Sequence, residues 1–279
     1  MLDPVEVGRV VRTALAEDLR YGPDITSSAV IAVGASGTGD IVARAGGVLA
    51  GVQVAAAVVE IAGAGSLHAA RQDGTAVSAG DVVATIDGPL RELLGAERTL
   101  LNFLTHLSGI ATATRAWVDA VTGTGAAIRD TRKTLPGLRV LEKYAVRCGG
   151  GVNHRMGLGD AALIKDNHVA AAGSVAAAYR AVRAAAPQVL VEVECDTLDQ
   201  VGEALAAGAG LILLDNMSVP ELRAAVAMAR PYPDARLEAS GGLRLENARE
   251  VALTGVHYLA VGALTHSSPA LDIGLDLAV

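Results

Sequence analysis

The chain has 279 residues, with 23 Lys+Arg against 30 Asp+Glu and a formal net charge of −7, which argues against a general binder of nucleic acid or anionic membranes. Hydrophobic residues make up 51% and aromatic residues only 3%, so a sizeable core must be filled by Ala, Val and Leu. Two cysteines, Cys148 and Cys195, offer no disulfide framework and no zinc spacing, which fits a reducing cytoplasm.

The first residues, Met1-Leu2-Asp3-Pro4, lack the basic and apolar regions of a signal peptide. No charge-free stretch reaches the roughly 18 apolar residues of a membrane span. Residues 4–19 set Val7, Val10, Val11, Ala14 and Leu15 on one helical face, and Pro23-Asp24 closes that helix. From Gly39 to Gly88 short β-like runs take over: Asp40–Arg44, Val48–Ala50, Ser66–Ala70 and Asp81–Ile86. A helix over Val52–Ala62 lies among them, and Asp73-Gly74 predicts a hairpin. The mixture predicts a small α+β domain.

Residues 90–121 are helical, and then the rhythm becomes regular. Strands are predicted at Ala126–Thr131, Gly151–Arg155, Ala162–His168, Val189–Cys195, Gly210–Asn216, Arg236–Gly242 and His257–Leu264. Helices at 138–148, 175–186, 198–207, 219–229 and 245–253 fall between them. Strands alternating with helices mean parallel βαβ units. About seven such strands predict a (β/α) barrel, possibly an incomplete one, rather than an open dinucleotide-binding sheet. No G-x-G-x-x-G follows the first strand and no Walker A string occurs.

In such a barrel the C-terminal strand ends build the active site. Here they read Thr131-Arg132-Lys133, Asn153-His154-Arg155, Lys165-Asp166-Asn167-His168, Glu192-Val193-Glu194, Asp215-Asn216, Ser240-Gly241-Gly242 and Gly262-Ala263-Leu264. The chain's three lysines, Lys133, Lys143 and Lys165, all lie between the first and third of these ends. Residues 129–168 carry a net charge of +4 and the rest of the chain −11. A local cationic pocket in an acidic protein predicts a small anionic ligand. Glu192 and Glu194 share one face of their strand, so both are expected to point into the mouth. Carboxylates opposite cations predict Mg²⁺ carried on substrate phosphates. Ser240–Gly242 and Gly262-Ala263 are small enough for backbone N–H groups to cradle a phosphate. The residues thus predict a Mg²⁺-dependent enzyme acting on a phosphorylated sugar and a second anion. Lys143, in mid-helix beside Glu142, is expected on a solvated face, and the roles of His168 and Glu192 stay open.

The strings Asp130-Thr131-Arg132-Lys133-Thr134-Leu135-Pro136-Gly137-Leu138-Arg139, Gly149-Gly150-Gly151-Val152-Asn153-His154-Arg155 and Leu163-Ile164-Lys165-Asp166-Asn167-His168 closely resemble the quinolinate phosphoribosyltransferase family. The resemblance continues through Val191–Glu194, Leu214–Asn216, Glu238–Gly242 and Val261–His266, and covers nearly the whole chain. It implies a small N-terminal α/β sandwich over residues 1–108, with the tail 267–279 returning to it, and an incomplete barrel over 109–266. It also implies a homodimer or higher oligomer and conversion of quinolinate and phosphoribosyl pyrophosphate to nicotinate mononucleotide, pyrophosphate and CO₂, with no organic cofactor. Carried over by position, Arg132, His154, Arg155 and Lys165 bind quinolinate, Arg98 completes that pocket from the neighbouring subunit, and Thr131 is a further substrate-binding residue. Lys133 and His266 face pyrophosphate and phosphate; Ser240, Gly241, Gly242, Gly262, Ala263 and Leu264 hold the 5′-phosphate. Glu194 and Asp215 hold the ribose hydroxyls and the Mg²⁺ complex, and with Lys133 form the expected catalytic set.

Three alternatives stand beside this reading. One is a related phosphoribosyltransferase that takes nicotinate; another is the homologue associated with molybdenum transport. The third is a non-catalytic phosphosugar-binding barrel, which would not require acids opposite the cations.

Overall fold

The computed structural model describes residues 2–278. Contacts divide the chain into two compact units, one of Met1–Arg115, Thr134–Gly150 and Ala263–Val279, the other of Ala116–Lys133 and Gly151–Gly262.

The first unit opens with α1 (Pro4–Asp18), which starts where Asp3 accepts the Val5 N–H and Pro4 presets the first turn. A short helix, α2 (Ile25–Val30), follows; its six residues carry no periodic apolar face, so periodicity misses it. The sheet runs β12-β1-β5-β3, all antiparallel, from β1 (Ser36–Ala43), β3 (Ser66–Ala69), β5 (Val82–Pro89) and β12 (Ile273–Ala278). The C-terminal strand thus returns to the N-terminal sheet, pairing Asp40 with Asp276 and Val42 with Gly274. A separate pair joins β2 (Gly47–Val48) to β4 (Ala76–Val77). Two further helices, α3 (Val52–Ile61) and α4 (Leu90–Ala120), bury Val54, Val58, Leu100, Leu104 and Leu107. Residues 108 and 109 lie inside the single 31-residue helix α4.

The second unit is a parallel sheet in the order β6-β11-β10-β9-β8-β7. Its strands are β6 (Ala127–Arg129), β7 (Ala161–Ile164), β8 (Leu190–Cys195), β9 (Leu211–Asp215), β10 (Arg236–Ser240) and β11 (Tyr258–Ala260). The last strand pairs with the first, Tyr258 opposite Ala127 and Ala260 opposite Arg129, which is the topology of a barrel. Intervening helices α7 (Val175–Ala185), α8 (Leu198–Ala206), α9 (Val219–Ala229) and α10 (Leu245–Ala252) have short polar starts. Thr197 with Gln200 and Ser218 with Glu221 form capping boxes. No helix among the described residues is long and apolar enough to cross a membrane.

Four expectations change. The segment Gly151–Arg155 is not a full strand: only Val152 bridges, in parallel, to Arg129, because Gly151 and the polar anchors at Asn153 and His154 leave little to pair. The parallel sheet therefore has six strands, and the barrel is open between Val152 and β7. Asp73-Gly74 makes a turn, with Gly74 at φ +84°, but β3 and β4 on either side pair elsewhere, with β5 and β2. Lys165 ends no strand; it caps α6 (Asp166–Ala172). Lys143 lies on no solvated face. Helix α5 (Arg139–Cys148) buries Leu141, Glu142, Lys143, Ala145 and Val146, more than one stripe, so that whole side is enclosed.

Two glycines of α4 separate packing from propensity. A Cβ at Gly109 would stand 2.1 Å from the Pro269 carbonyl oxygen, whereas one at Gly95 meets nothing within 4 Å. Gly109→Ala is expected to cost about 1–3 kcal/mol and Gly95→Ala to stabilise by about 0.5–1 kcal/mol. Thermal unfolding of both variants checks the opposite signs.

Candidate active site

A cavity of about 410 Å³ opens in the second unit, at the C-terminal ends of its strands. That size is within the range of small-molecule pockets. Thr131, Arg132 and Lys133 reach it from beyond β6, His154 and Arg155 from beyond the Val152 bridge, and Lys165 from beyond β7. Glu194 of β8, Asp215 of β9 and Ser240 of β10 complete the polar wall, with Leu163, Leu213, Glu238 and Ala260 below. Leu213 with Asp215 and Glu238 with Ser240 are two apart, so they share the inward face of their strands.

Local bonds fix each side chain. The Lys133 N–H donates to Thr131 Oγ1 at 3.0 Å. Asp130 is fully buried and ties β6 to the next segment: its carboxylate accepts the His154 N–H at 2.8 Å and the Asn153 Nδ2 at 2.5 Å. Arg155 donates from Nη1 to the Ala161 carbonyl at 3.0 Å, while its Nε is buried without a hydrogen-bond partner. Burial and then the charge of Arg132 hold the Arg155 pKa below its ordinary value. Two guanidinium groups that repel each other in a half-buried cavity create a demand for an anion, and planar forks suit carboxylates.

On the opposite wall, Lys165 Nζ donates to Glu194 Oε2 at 2.5 Å. Asp215 accepts from Asn216 Nδ2 at 2.7 Å. Asn216 has φ 54°, the left-handed region, the sole non-glycine to do so among the described residues. Its backbone N–H donates to the Ser240 carbonyl at 2.8 Å. Gly241, at φ +83°, passes so close that a Cβ would meet Asn216 Oδ1 at 2.1 Å. Glycine is therefore required there.

One layer deeper lies a buried polar cluster. Glu192 is 2% and Glu238 0% exposed. Arg129 Nη1 donates to Glu238 Oε2 at 2.6 Å, and His154 Nε2 lies 2.5 Å from Glu192 Oε2. Glu194 reaches the mouth, but Glu192 does not, because two residues along a barrel strand step down one layer. Arg129 and Glu238 have no place among the residues predicted for the site. Their signal was a charged residue inside each of two otherwise apolar strands. His154, Glu192 and Glu238 each offer one donor atom, all within 4.8 Å of one another, so this trio could hold a metal; Glu194 and Asp215 offer a second carboxylate pair at the mouth.

The remaining predicted residues separate. Gly241 and Gly242 line a neighbouring cavity of about 310 Å³ with Asn216, Ser218 and Asn247. Gly262 follows β11. Ala263, Leu264 and His266 form α11 (Ala263–His266) in the first unit, where Leu264 is buried and His266 is exposed, its Nδ1 2.7 Å from Ser267 Oγ. Arg98 is exposed on α4, also in the first unit. His168 is accounted for by folding: its Nδ1 accepts the Lys165 N–H at 2.9 Å and caps α6.

Family models of the quinolinate phosphoribosyl transferase N-terminal and C-terminal domains match residues 24–108 and 110–276. A nicotinate-nucleotide pyrophosphorylase (carboxylating) of Mycobacterium leprae is 58% identical over 271 residues, 96% of this chain and 95% of that protein. Among solved structures, a NadC deletion mutant superposes with TM-score 0.94 at 39% identity, covering 100% of this chain and 98% of that one. The nicotinate-nucleotide pyrophosphorylase of Francisella tularensis gives TM-score 0.93 at 37% identity, with 100% and 98% coverage.

The two adjacent glycines after β10 differ sharply in surroundings. Gly241→Ala is expected to lower stability by about 2–4 kcal/mol through strain and the Asn216 clash. Gly242→Ala, at φ +63° with nothing within 4 Å, costs about 1–2 kcal/mol from backbone strain alone. Denaturant midpoints of the two variants measure the difference.

Proposed function

The chain belongs to the quinolinate phosphoribosyl transferase family, and from that premise we propose that it joins quinolinate to phosphoribosyl pyrophosphate and releases pyrophosphate, CO₂ and nicotinate mononucleotide. The observation that carries the reading is one cavity with Arg132, Arg155 and Lys133 on one wall and Glu194 and Asp215 on the other. A pyridine with two adjacent carboxylates neutralises the guanidinium pair, and a ribosyl cation in formation is met by the carboxylates.

Arg132 and Arg155 hold the two carboxylates of quinolinate as planar forks, with Thr131, His154 and Lys165 completing the contact set. Lys133 faces the pyrophosphate. The ring nitrogen then attacks C1 of the ribose as pyrophosphate departs, through a transition state with oxocarbenium character. Glu194 and Asp215 lie where that positive charge develops, and preorganised charge of this kind lowers the barrier without reorganising during the step. Once quaternised, the ring nitrogen draws electrons from C2 and the 2-carboxylate leaves as CO₂. Glu194 and Asp215 also supply the hard carboxylate oxygens that Mg²⁺ takes when it travels with phosphates. Bound there, the ion supplies charge neutralisation for the leaving pyrophosphate. Gly241, Gly242 and Gly262, with Ser240, Ala263, Leu264 and His266, are assigned to the phosphate end.

A nicotinate-specific enzyme is the weaker reading, since one carboxylate leaves half of the cationic wall without a counter-charge. A homodimer in which Arg98 of one subunit completes the neighbouring site belongs to the same proposal.

Incubation with quinolinate, phosphoribosyl pyrophosphate and Mg²⁺ is expected to yield CO₂ and nicotinate mononucleotide in equal amounts; nicotinate accepted in place of quinolinate contradicts the reading. Lys133→Ala and Glu194→Gln should each lower kcat/KM by more than about tenfold, or ~1.4 kcal/mol of transition-state stabilisation. Inactive Arg98→Ala and Lys133→Ala proteins, mixed and allowed to exchange subunits, should recover part of the activity if the site is shared.

A further inference from the structure

We propose that Asp160 is a positioning residue for Arg155, holding the segment that carries this guanidinium in the shape that presents it to a carboxylate of quinolinate. The inference deepens the proposed function and rests on it, because it takes Arg155 as a ligand of that substrate. Arg155 lines the cavity and Asp160 does not, so Asp160 acts only through its neighbour.

An arginine binds best when its fork is already aimed, since immobilising a long side chain on contact subtracts from affinity. Two bonds fix Arg155 at its two ends. Its backbone N–H donates to His154 Nδ1 at 2.8 Å, and its Nη1 donates to the Ala161 carbonyl at 3.0 Å. Ala161 is the first residue of β7 and pairs with Leu190 of β8. The guanidinium is thus hung on the sheet, six residues further along the chain. Its Nε is buried without a hydrogen-bond partner, which leaves a donor for an anion.

That arrangement holds only if the residues between keep the two ends together. Met156, Gly157, Leu158, Gly159 and Asp160 belong to no helix or strand. Met156, Leu158, Gly159 and Asp160 are exposed, Leu158 to 74%, so burial in the core does not order them. The Asp160 carboxylate supplies the missing restraint. Its Oδ2 accepts the Met156 N–H at 2.6 Å and its Oδ1 the Gly157 N–H at 2.8 Å. One side chain therefore closes the loop, from directly before Ala161 to directly after Arg155. Hydrogen bonds to an ionised acceptor are about twice as strong as neutral ones. Burial pushes the Asp160 pKa up, but the two N–H groups and the Arg155 charge outweigh it and hold it below the ordinary carboxylate value.

Charge adds a second link. Burial and the Arg132 charge disfavour the Arg155 cation, while Asp160 and Glu192 oppose them. Glu192 is already engaged with His154 at 2.5 Å. Asp160 has both oxygens on backbone N–H groups, so it tempers the repulsion between the guanidinium groups without occupying the fork.

The test is Asp160→Ala and Asp160→Asn, each read by calorimetric binding of quinolinate and by steady-state kinetics. Asp160→Ala should raise the Kd and the KM for quinolinate about three- to tenfold. The KM for phosphoribosyl pyrophosphate and kcat should change less than about twofold, because only binding at Arg155 is loosened. Asp160→Asn keeps one acceptor oxygen for the two N–H groups, and its effect should be smaller than that of Asp160→Ala. In an Arg155→Ala background, Asp160→Ala should alter quinolinate affinity less than about twofold, since the residue acts through the guanidinium. Equal losses in both backgrounds, or a wild-type quinolinate Kd in Asp160→Ala, overturn the proposal. An Asp160→Ala protein that does not fold overturns it as well, because the clamp then serves the fold rather than Arg155. Wild-type protein that neither binds quinolinate nor makes nicotinate mononucleotide overturns the functional reading itself, and the proposal with it.

Discussion

Arg129 and Glu238 meet at 2.6 Å inside the barrel, with side chains 11% and 0% exposed, and neither could be buried without the other. Their strands, β6 and β10, are not neighbours; β11 lies between them. The ion pair therefore needs the last strand to close on the first, and closure in turn places a guanidinium where only a carboxylate can compensate it. Removing either partner strands a buried charge, which costs several kcal/mol in comparable settings. Arg129 also stacks on the Tyr258 ring, 4.8 Å from its centroid, which fixes the side chain across the seam. His154 and Glu192 extend the network to the open side of the barrel.

The layer above reuses the same geometry with the charges turned outward. Cations enter from the β6 side and from the segment after Val152, carboxylates from β8 and β9. A chain with net charge −7 thereby keeps a cationic wall within an acidic surface, and the low-dielectric surroundings focus its field into the mouth. Repulsion between Arg132 and Arg155 is relieved by an anion, so the pairing of the two guanidinium groups itself favours anion binding. The strained backbone at Asn216, locked by Gly241 and the Ser240 carbonyl, shows the same economy: it holds Asp215 in one orientation before any ligand arrives.

Much of this was legible in the sequence, and the reasons differ by element. The βα rhythm from residue 126 onward was plain because its strands are short and mostly apolar and most are followed by a helix with a polar start. Thr131–Lys133, Glu194, Asp215 and Ser240 could be placed at strand ends by counting alone. The segment 151–155 read as a strand, yet its pairing is a single bridge, since periodicity reports burial and not which backbone partner is present. Lys143 was misplaced for a related reason: helical position beside a glutamate suggests solvent, but α5 is enclosed on more than one side. Glu238 lay in a quoted motif, though its depth became apparent only once β10 was paired between β9 and β11. Nothing local announces which of two inward residues on a strand sits at the mouth and which one layer down.

The proposed function requires a cationic wall matched to two adjacent carboxylates on one ring. Calorimetric titration of the protein with quinolinate and with nicotinate, each at low and at high salt, tests it most directly. Quinolinate should bind at least about tenfold more tightly, a difference of ~1.4 kcal/mol, and its affinity should fall more steeply with salt. Equal affinities with equal salt dependence would mean that the second carboxylate has no counterpart in the cavity, and would contradict that match.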